Sequence, residues 1–164
     1  MPQDVAVELS NPMELVSHFV MRQDWPLRRM AADHMVIEVP GQWAEHQLSV
    51  SWRGDSEALH LTCRLDLGPL ETCATDMALL AGLLNSHIWL GHFLYHSEAG
   101  EVQLRHTLPL RGTGGASAEQ IEDLVDILLG EAEQAWPAFW QLARGEVSLS
   151  EAAQLMLLTT AGQA

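Results

Sequence analysis

Between positions 34 and 67 apolar and polar side chains alternate almost one for one. Met35, Ile37 and Val39 interleave with His34, Val36 and Glu38. Leu48, Val50 and Trp52 interleave with Gln47, Ser49 and Ser51, and Leu59, Leu61, Cys63, Leu65 and Leu67 with His60, Thr62, Arg64 and Asp66. Successive side chains of a strand point to opposite faces, so a period of two predicts three strands with one dry and one polar face. Pro40-Gly41 and Arg53-Gly54-Asp55-Ser56 read as the turns between them. A second hairpin follows: His92–His96, a turn at Glu98-Ala99-Gly100-Glu101, then Val102, Leu104, His106, Leu108 and Leu110 alternating with Gln103, Arg105 and Thr107.

The flanking segments carry the helical period instead. Asn11 as cap, Pro12 at the first helical position and Glu14 form a capping box ahead of Leu15, Val16, Phe19 and Val20, and Asp24-Trp25-Pro26 ends that helix. A helix is predicted from about Thr72 to Leu90, with Leu79, Leu80, Leu83, Leu84 and Ile88 as its buried stripe. The longest helix starts at Ser117, boxed by Gln120, and buries Ile121, Leu124, Val125, Leu128 and Leu129. Pro137 is expected to kink or interrupt it, and Gly145 to mark its end. Ser148 and Glu151 open a short last helix through Leu155 and Leu158.

Strands clustered in hairpins, with one polar face, predict an α+β fold: an antiparallel sheet with helices on one face, in the order α-β-β-β-α-β-β-α plus a C-terminal helix. The 164 residues are expected to form a single domain over 1–164, its core at about 11–144 and the last helix at about 148–160.

Charge narrows the partners. Twenty-two acidic residues face eight basic ones, all arginine, for a formal charge of −14. Such a chain repels phosphates and anionic lipid, which argues against nucleic acid and membrane surfaces and suits a basic or apolar protein partner. The N-terminal MPQDVAVELSNP has no basic stretch followed by an apolar one, so it does not read as a signal peptide, and no apolar run is long enough to span a bilayer. With two cysteines, Cys63 and Cys73, read as reduced core thiols, the expected location is cytoplasmic.

Candidate chemistry is weighed against plainer roles. The glycines at 112–115 lie where a phosphate loop would lie, yet no Lys-Ser/Thr pair follows, so a flexible turn is expected. Of eight histidines, His87, His92 and His96 are the tightest group, but two of them sit four apart on a strand, too far to share one ion easily, and His106 falls on a dry face. Glu119, Glu122, Asp123 and Asp126 read as the solvated, dipole-stabilised face of a helix. Cys63 points into the core, where a thiol is inert, and no Gly-x-Ser-x-Gly is present. No catalytic residue, metal site or cofactor is therefore assigned. Trp136 and Trp140, four apart beside Pro137, form the kind of aromatic anchor that interfaces favour. The polar sheet face, with Gln47, Ser49, His60, Thr62, Arg64 and Arg105, is a second docking candidate.

Four segments carry a resemblance: Glu38-Val-Pro-Gly-Gln-Trp43, Leu84-Asn-Ser-His-Ile-Trp-Leu-Gly-His-Phe93, Leu104-Arg-His-Thr-Leu-Pro-Leu-Arg111 and Glu119-Gln-Ile-Glu-Asp-Leu-Val-Asp126. They resemble the YbjN family of bacterial sensory transduction regulators, from about Asn11 to Trp140. That family is similar in fold to type III secretion chaperones, small acidic dimers that hold partner polypeptides without catalysis. The resemblance implies a non-enzymatic, homodimeric, protein-binding regulator or chaperone and carries over no catalytic residue. The many tryptophans and the extra C-terminal helix depart from secretion chaperones. A small-ligand sensor, with a pocket between sheet and helices, is the alternative expectation.

Overall fold

A computed structural model describes residues 12–71 and 74–161, the last three as backbone. In chain order the elements are α1 (Met13–Arg22), β1 (Leu27–Ala31), β2 (His34–Pro40), β3 (Glu45–Arg53), β4 (Ala58–Leu65), α2 (Ala74–Asn85), β5 (His92–His96), β6 (Glu101–Pro109), α3 (Ala118–Ala143) and α4 (Leu149–Ala161). The six strands form one sheet in the order β1-β2-β3-β4-β6-β5, every pair antiparallel. The α+β architecture expected from the alternation is the one observed.

Register explains the single dry face. Leu48 stands opposite both Ile37 and Cys63, Val50 opposite Met35 and Leu61, and Leu104 opposite Cys63 and Phe93. All of these are buried, and with Leu59, Leu65 and Val102 they form a continuous apolar surface. Helix α3 lies on it through Ile121, Leu124, Val125, Leu128, Ala132, Ala135 and Phe139, the last in ring contact with Phe93 at 5.5 Å. Helix α4 adds Ala152 and Met156 to the same core.

Helix ends follow the capping chemistry. Ser117 Oγ accepts from the Gln120 N–H at 3.1 Å, and Gln120 Oε1 accepts from the Ser117 N–H at 2.9 Å. Ser148 and Glu151 repeat this box, at 3.2 and 2.7 Å, at the start of α4. Gly145, with φ +68°, ends α3 in the left-handed conformation that costs glycine least. Pro12 flanks α1; the Asn11 cap lies outside the described residues.

Four expectations change. Strand β1 was not foreseen, because its Leu-Arg-Arg-Met-Ala run has both faces open and therefore no alternation. Pro137 does not interrupt α3, which runs unbroken for 26 residues. An interior proline costs roughly 3 kcal/mol. Burying Trp136 and Phe139 on either side returns about 1.5–3 kcal/mol for each large side chain, enough to hold the helix together. Helix α2 stops at Asn85 rather than near Leu90, and Thr72 and Cys73 lie outside the described residues. Its buried stripe is Met77, Leu80, Ala81 and Leu84, while Leu79 and Leu83 are about half exposed.

The α3 cap gives a direct test. Ser117→Ala removes an acceptor for an otherwise free N–H and should lower unfolding free energy by about 1 kcal/mol in urea titrations. Ser117→Asp should restore most of the loss.

Candidate functional site

Three tryptophans and an arginine stack along the C-terminal half of α3. Residues 133, 136 and 140 share one helix face by their spacing of three and four. Trp136 and Trp140 stack at 5.7 Å between centroids and 20° between planes. Trp43, from the β2–β3 turn, continues the stack on Trp136 at 6.2 Å and 3°. At the other end the Arg144 guanidinium lies 5.3 Å over the Trp140 ring. The Trp136 indole N–H donates to the Asp66 carbonyl at 2.9 Å, which ties the stack to the end of β4.

Glu133 fixes the turn that carries Trp43. One carboxylate oxygen meets His46 Nε2 at 2.6 Å and the other accepts the Gln42 N–H at 3.1 Å. His46 is 1% exposed and sits in the dry phase of β3, two residues before Leu48. The fit is close: a Cβ on Gly41 would come within 2.0 Å of Glu133 Oε1 and 2.4 Å of the Ala44 carbonyl oxygen, and the backbone cannot give way, so only glycine is accommodated there. His46 Nδ1 and Arg144 Nε are buried with no hydrogen-bond partner among the described residues.

The four proposed docking residues divide between two surfaces. Trp136 and Trp140 do come together, on the helix side, although Trp136 is only 9% exposed. Arg64 and Arg105 point from the opposite face of the sheet. Arg64 reaches Glu101 at 3.4 Å, and Arg105 Nε donates to Gln103 Oε1 at 3.0 Å. That face is a grid of polar pairs, with His60 on Thr107 and His34 on Ser49, each at 2.9 Å. Sequence reasoning missed Trp43 as the third ring and the His46–Glu133 pair. The signal was present: a histidine in the apolar phase of β3, and a carboxylate on the tryptophan face of α3.

The remaining candidates stay apart. Among the described residues no three His, Cys, Asp or Glu side chains are placed to hold a metal. His92 stands opposite Arg105 and His96 opposite Glu101, and His87 lies in the turn after α2. Burial, then the neighbouring His92, hold His106 below the usual histidine range. The Gly112–Gly115 segment is a turn, with Gly112, Gly114 and Gly115 at positive φ. Glu119 is fully exposed, and backbone and Ser117 hydrogen bonds at the helix start hold it below the usual carboxylate range. Two clefts of about 240 and 220 Å³ open at residues 64–68 with 99–101, and at His60–Thr62, His92 and Arg105–Thr107. Both are smaller than the roughly 300–1,000 Å³ of small-molecule sites.

The sheet has two unlike edges. On β5, the Asn85 side chain donates to the Phe93 carbonyl at 2.9 Å and accepts the Phe93 N–H at 2.6 Å, taking the bonds an incoming strand would take. On β1, the Pro26 carbonyl accepts from the Glu38 N–H at 3.0 Å. Antiparallel alternation then turns the Leu27 and Arg29 N–H groups outward. Among the described residues no hydrogen bond is made to these two N–H groups. Arg28 and Arg29 lie on this strand, paired with Glu38 at 3.6 Å and Glu14 at 3.0 Å, and the neighbouring Arg22 pairs with Glu122. Met30 and Met21 are about 60% exposed beside them.

A one-sided antiparallel sheet with this helix order is the type III secretion chaperone-like fold. A chain of the ExsC–ExsE complex superposes with a TM-score of 0.58 at 18% identity, covering 86% of this protein and 97% of that chain. A chain of the HopA1–SchA chaperone–effector complex gives 0.56 at 14% identity, covering 79% and 95%. No curated protein matches the sequence. The family model described as "Putative bacterial sensory transduction regulator" matches residues 12–140, and the chain belongs to that family, YbjN.

Two measurements test the site. Glu133→Ala strands a buried histidine nitrogen and frees the Gln42 N–H, so unfolding free energy should fall by about 1–3 kcal/mol, with loss of the near-ultraviolet dichroism of the stacked indoles. Burial, with Glu133 adding to it, pushes the Cys63 thiol up to about 12. In a Cys73→Ser background, Ellman's reagent at pH 8 should therefore find no reactive thiol in the folded protein and one in guanidinium.

Proposed function

We propose that this protein is a non-enzymatic, chaperone-like regulator that binds a polypeptide by adding it to the β1 edge of its sheet. The observation that carries this reading is a difference between the two edges: on β5 Asn85 takes the outward Phe93 N–H and carbonyl, whereas on β1 no described residue takes the outward Leu27 and Arg29 N–H groups. Strand addition gives affinity through main-chain bonds, and the exposed methionines provide adaptable apolar contact. The similarity to chains solved in a chaperone–effector complex supports a protein partner. The family description, a bacterial regulator, supports a signalling role in the cytoplasm. No helix among the described residues is long and apolar enough to cross a membrane.

The same reading makes the protein a homodimer. The outer stripe of α2 is Thr75, Ala78, Leu79, Gly82, Leu83 and Ser86, all exposed and none charged. A solvent-facing helix stripe ordinarily carries charge. Leu157 and Leu158 on the adjoining α4 and the 77% exposed Trp89 extend the apolar character. For two chains of charge −14, an uncharged face is where approach costs least.

Affinity capture from the bacterium, with crosslinking and mass spectrometry, tests the partner. Arg29→Pro removes an outward donor at an edge position that tolerates proline, so it should abolish capture while leaving the circular dichroism unchanged. Capture undiminished by that substitution would place the partner elsewhere. Leu79→Glu with Leu83→Glu should halve the mass seen by light scattering at micromolar concentration. A wild-type monomer under those conditions would refute the dimer.

A further inference from the structure

The indole stack has one closed end and one open end. At the closed end Arg144 lies over Trp140, so the protein itself already places a guanidinium on this stack. At the open end Trp43 is parallel to Trp136 on its inner side yet remains 50% exposed, which leaves its outer face to solvent. Half-exposed tryptophans on turns are usually free to move. This one is fixed, because Glu133 holds the Gln42 N–H and Gly41 is wedged against the same carboxylate.

We infer that the outer face of Trp43 is a docking position for an arginine side chain carried by a basic polypeptide segment. The inference deepens the protein-binding reading and rests on it for the kind of molecule bound. Charge selects the occupant. Glu133 lies beneath the turn and is partly exposed, and Glu45 is exposed two residues after Trp43. Asp66, exposed, supplies the carbonyl under Trp136. An anionic ligand is repelled by this setting and by the net charge of −14, whereas a cation is drawn to it. Between the two cationic side chains, the planar and weakly hydrated guanidinium stacks on an indole better than an ammonium does. A ring already held in place loses little freedom on binding, so the contact retains most of its strength.

The probe is an N-acetylated, C-amidated nonapeptide of three arginines spaced by Gly-Ser, set against its lysine counterpart, which keeps the charge without the planar group. The full chain, labelled at its indole nitrogens, is titrated with each at low salt. The arginine peptide should move the Trp43 indole N–H resonance saturably and bind at least about twofold tighter than the lysine peptide. Trp43→Ala should lose that preference. Trp43→Phe, which keeps a ring on the stack and guards against a folding defect, should retain most of it. Equal binding of the two peptides, or an unchanged preference in Trp43→Ala, would overturn the inference. The Arg29→Pro variant separates this result from the strand-edge reading. If only the edge reading is wrong, that variant still captures partner and the Trp43 shift persists. If only the stack reading is wrong, Arg29→Pro abolishes capture and neither peptide distinguishes Trp43.

Discussion

Everything else in this structure depends on α3 lying across one face of the antiparallel sheet. The helix buries eleven side chains along its length, and the sheet offers Leu48, Val50, Leu61, Cys63 and Leu104 to meet them. Area removed from water at this scale dominates the stabilising terms, so local preferences yield to it. Pro137 is retained inside the helix for that reason. The same contact positions the functional surfaces. Only because α3 is pinned over β4 and β6 can Glu133 reach His46 and the Gln42 amide, and only then does Trp43 complete the stack.

The features legible in the sequence were those whose physics is local. Capping boxes at Ser117 and Ser148 need three residues to announce themselves, and strand alternation needs five or six. Features set by tertiary context were not legible in the same way. Strand β1 has no dry face, since Arg28 through Ala31 are all exposed, so the periodic signal that revealed β2, β3 and β4 is missing. Leu79 and Leu83 have the helical spacing of buried residues, and spacing cannot say whether the face covered belongs to the same chain. Trp136 and Trp140 were visible as a pair from their spacing, whereas Trp43 lies 93 positions before Trp136 and joins them only through the fold.

The two sheet edges show how an open edge can be deliberate. Unpaired strand edges invite aggregation, and proteins usually shield them. Here one edge is shielded at Phe93 by a single amide, Asn85, whose donor and acceptor match those of a neighbouring peptide unit. The other edge carries Arg28 and Arg29, charged residues of the sort that discourage indiscriminate pairing while leaving the main chain accessible. An edge guarded by charge rather than by structure remains available to a segment that can satisfy the charges.

Electrostatics then orders the two surfaces by range. The net charge of −14 acts over about a Debye length, near 8 Å at physiological salt, and concentrates basic segments around the molecule without choosing among them. At the β1 edge each nearby arginine has a carboxylate partner: Arg22 with Glu122, Arg28 with Glu38 and Arg29 with Glu14. Exposed pairs of this kind are worth no more than about 1 kcal/mol, so an incoming chain can exchange them at little cost. On the proposed reading, selection comes from short-range contacts: main-chain hydrogen bonds along β1 and apolar contact with Met21 and Met30. A clamped indole face works at the same range. It is held still by the contact of buried His46 with Glu133, and on the inference drawn above it would distinguish, unlike the long-range field, a guanidinium from other cations by shape.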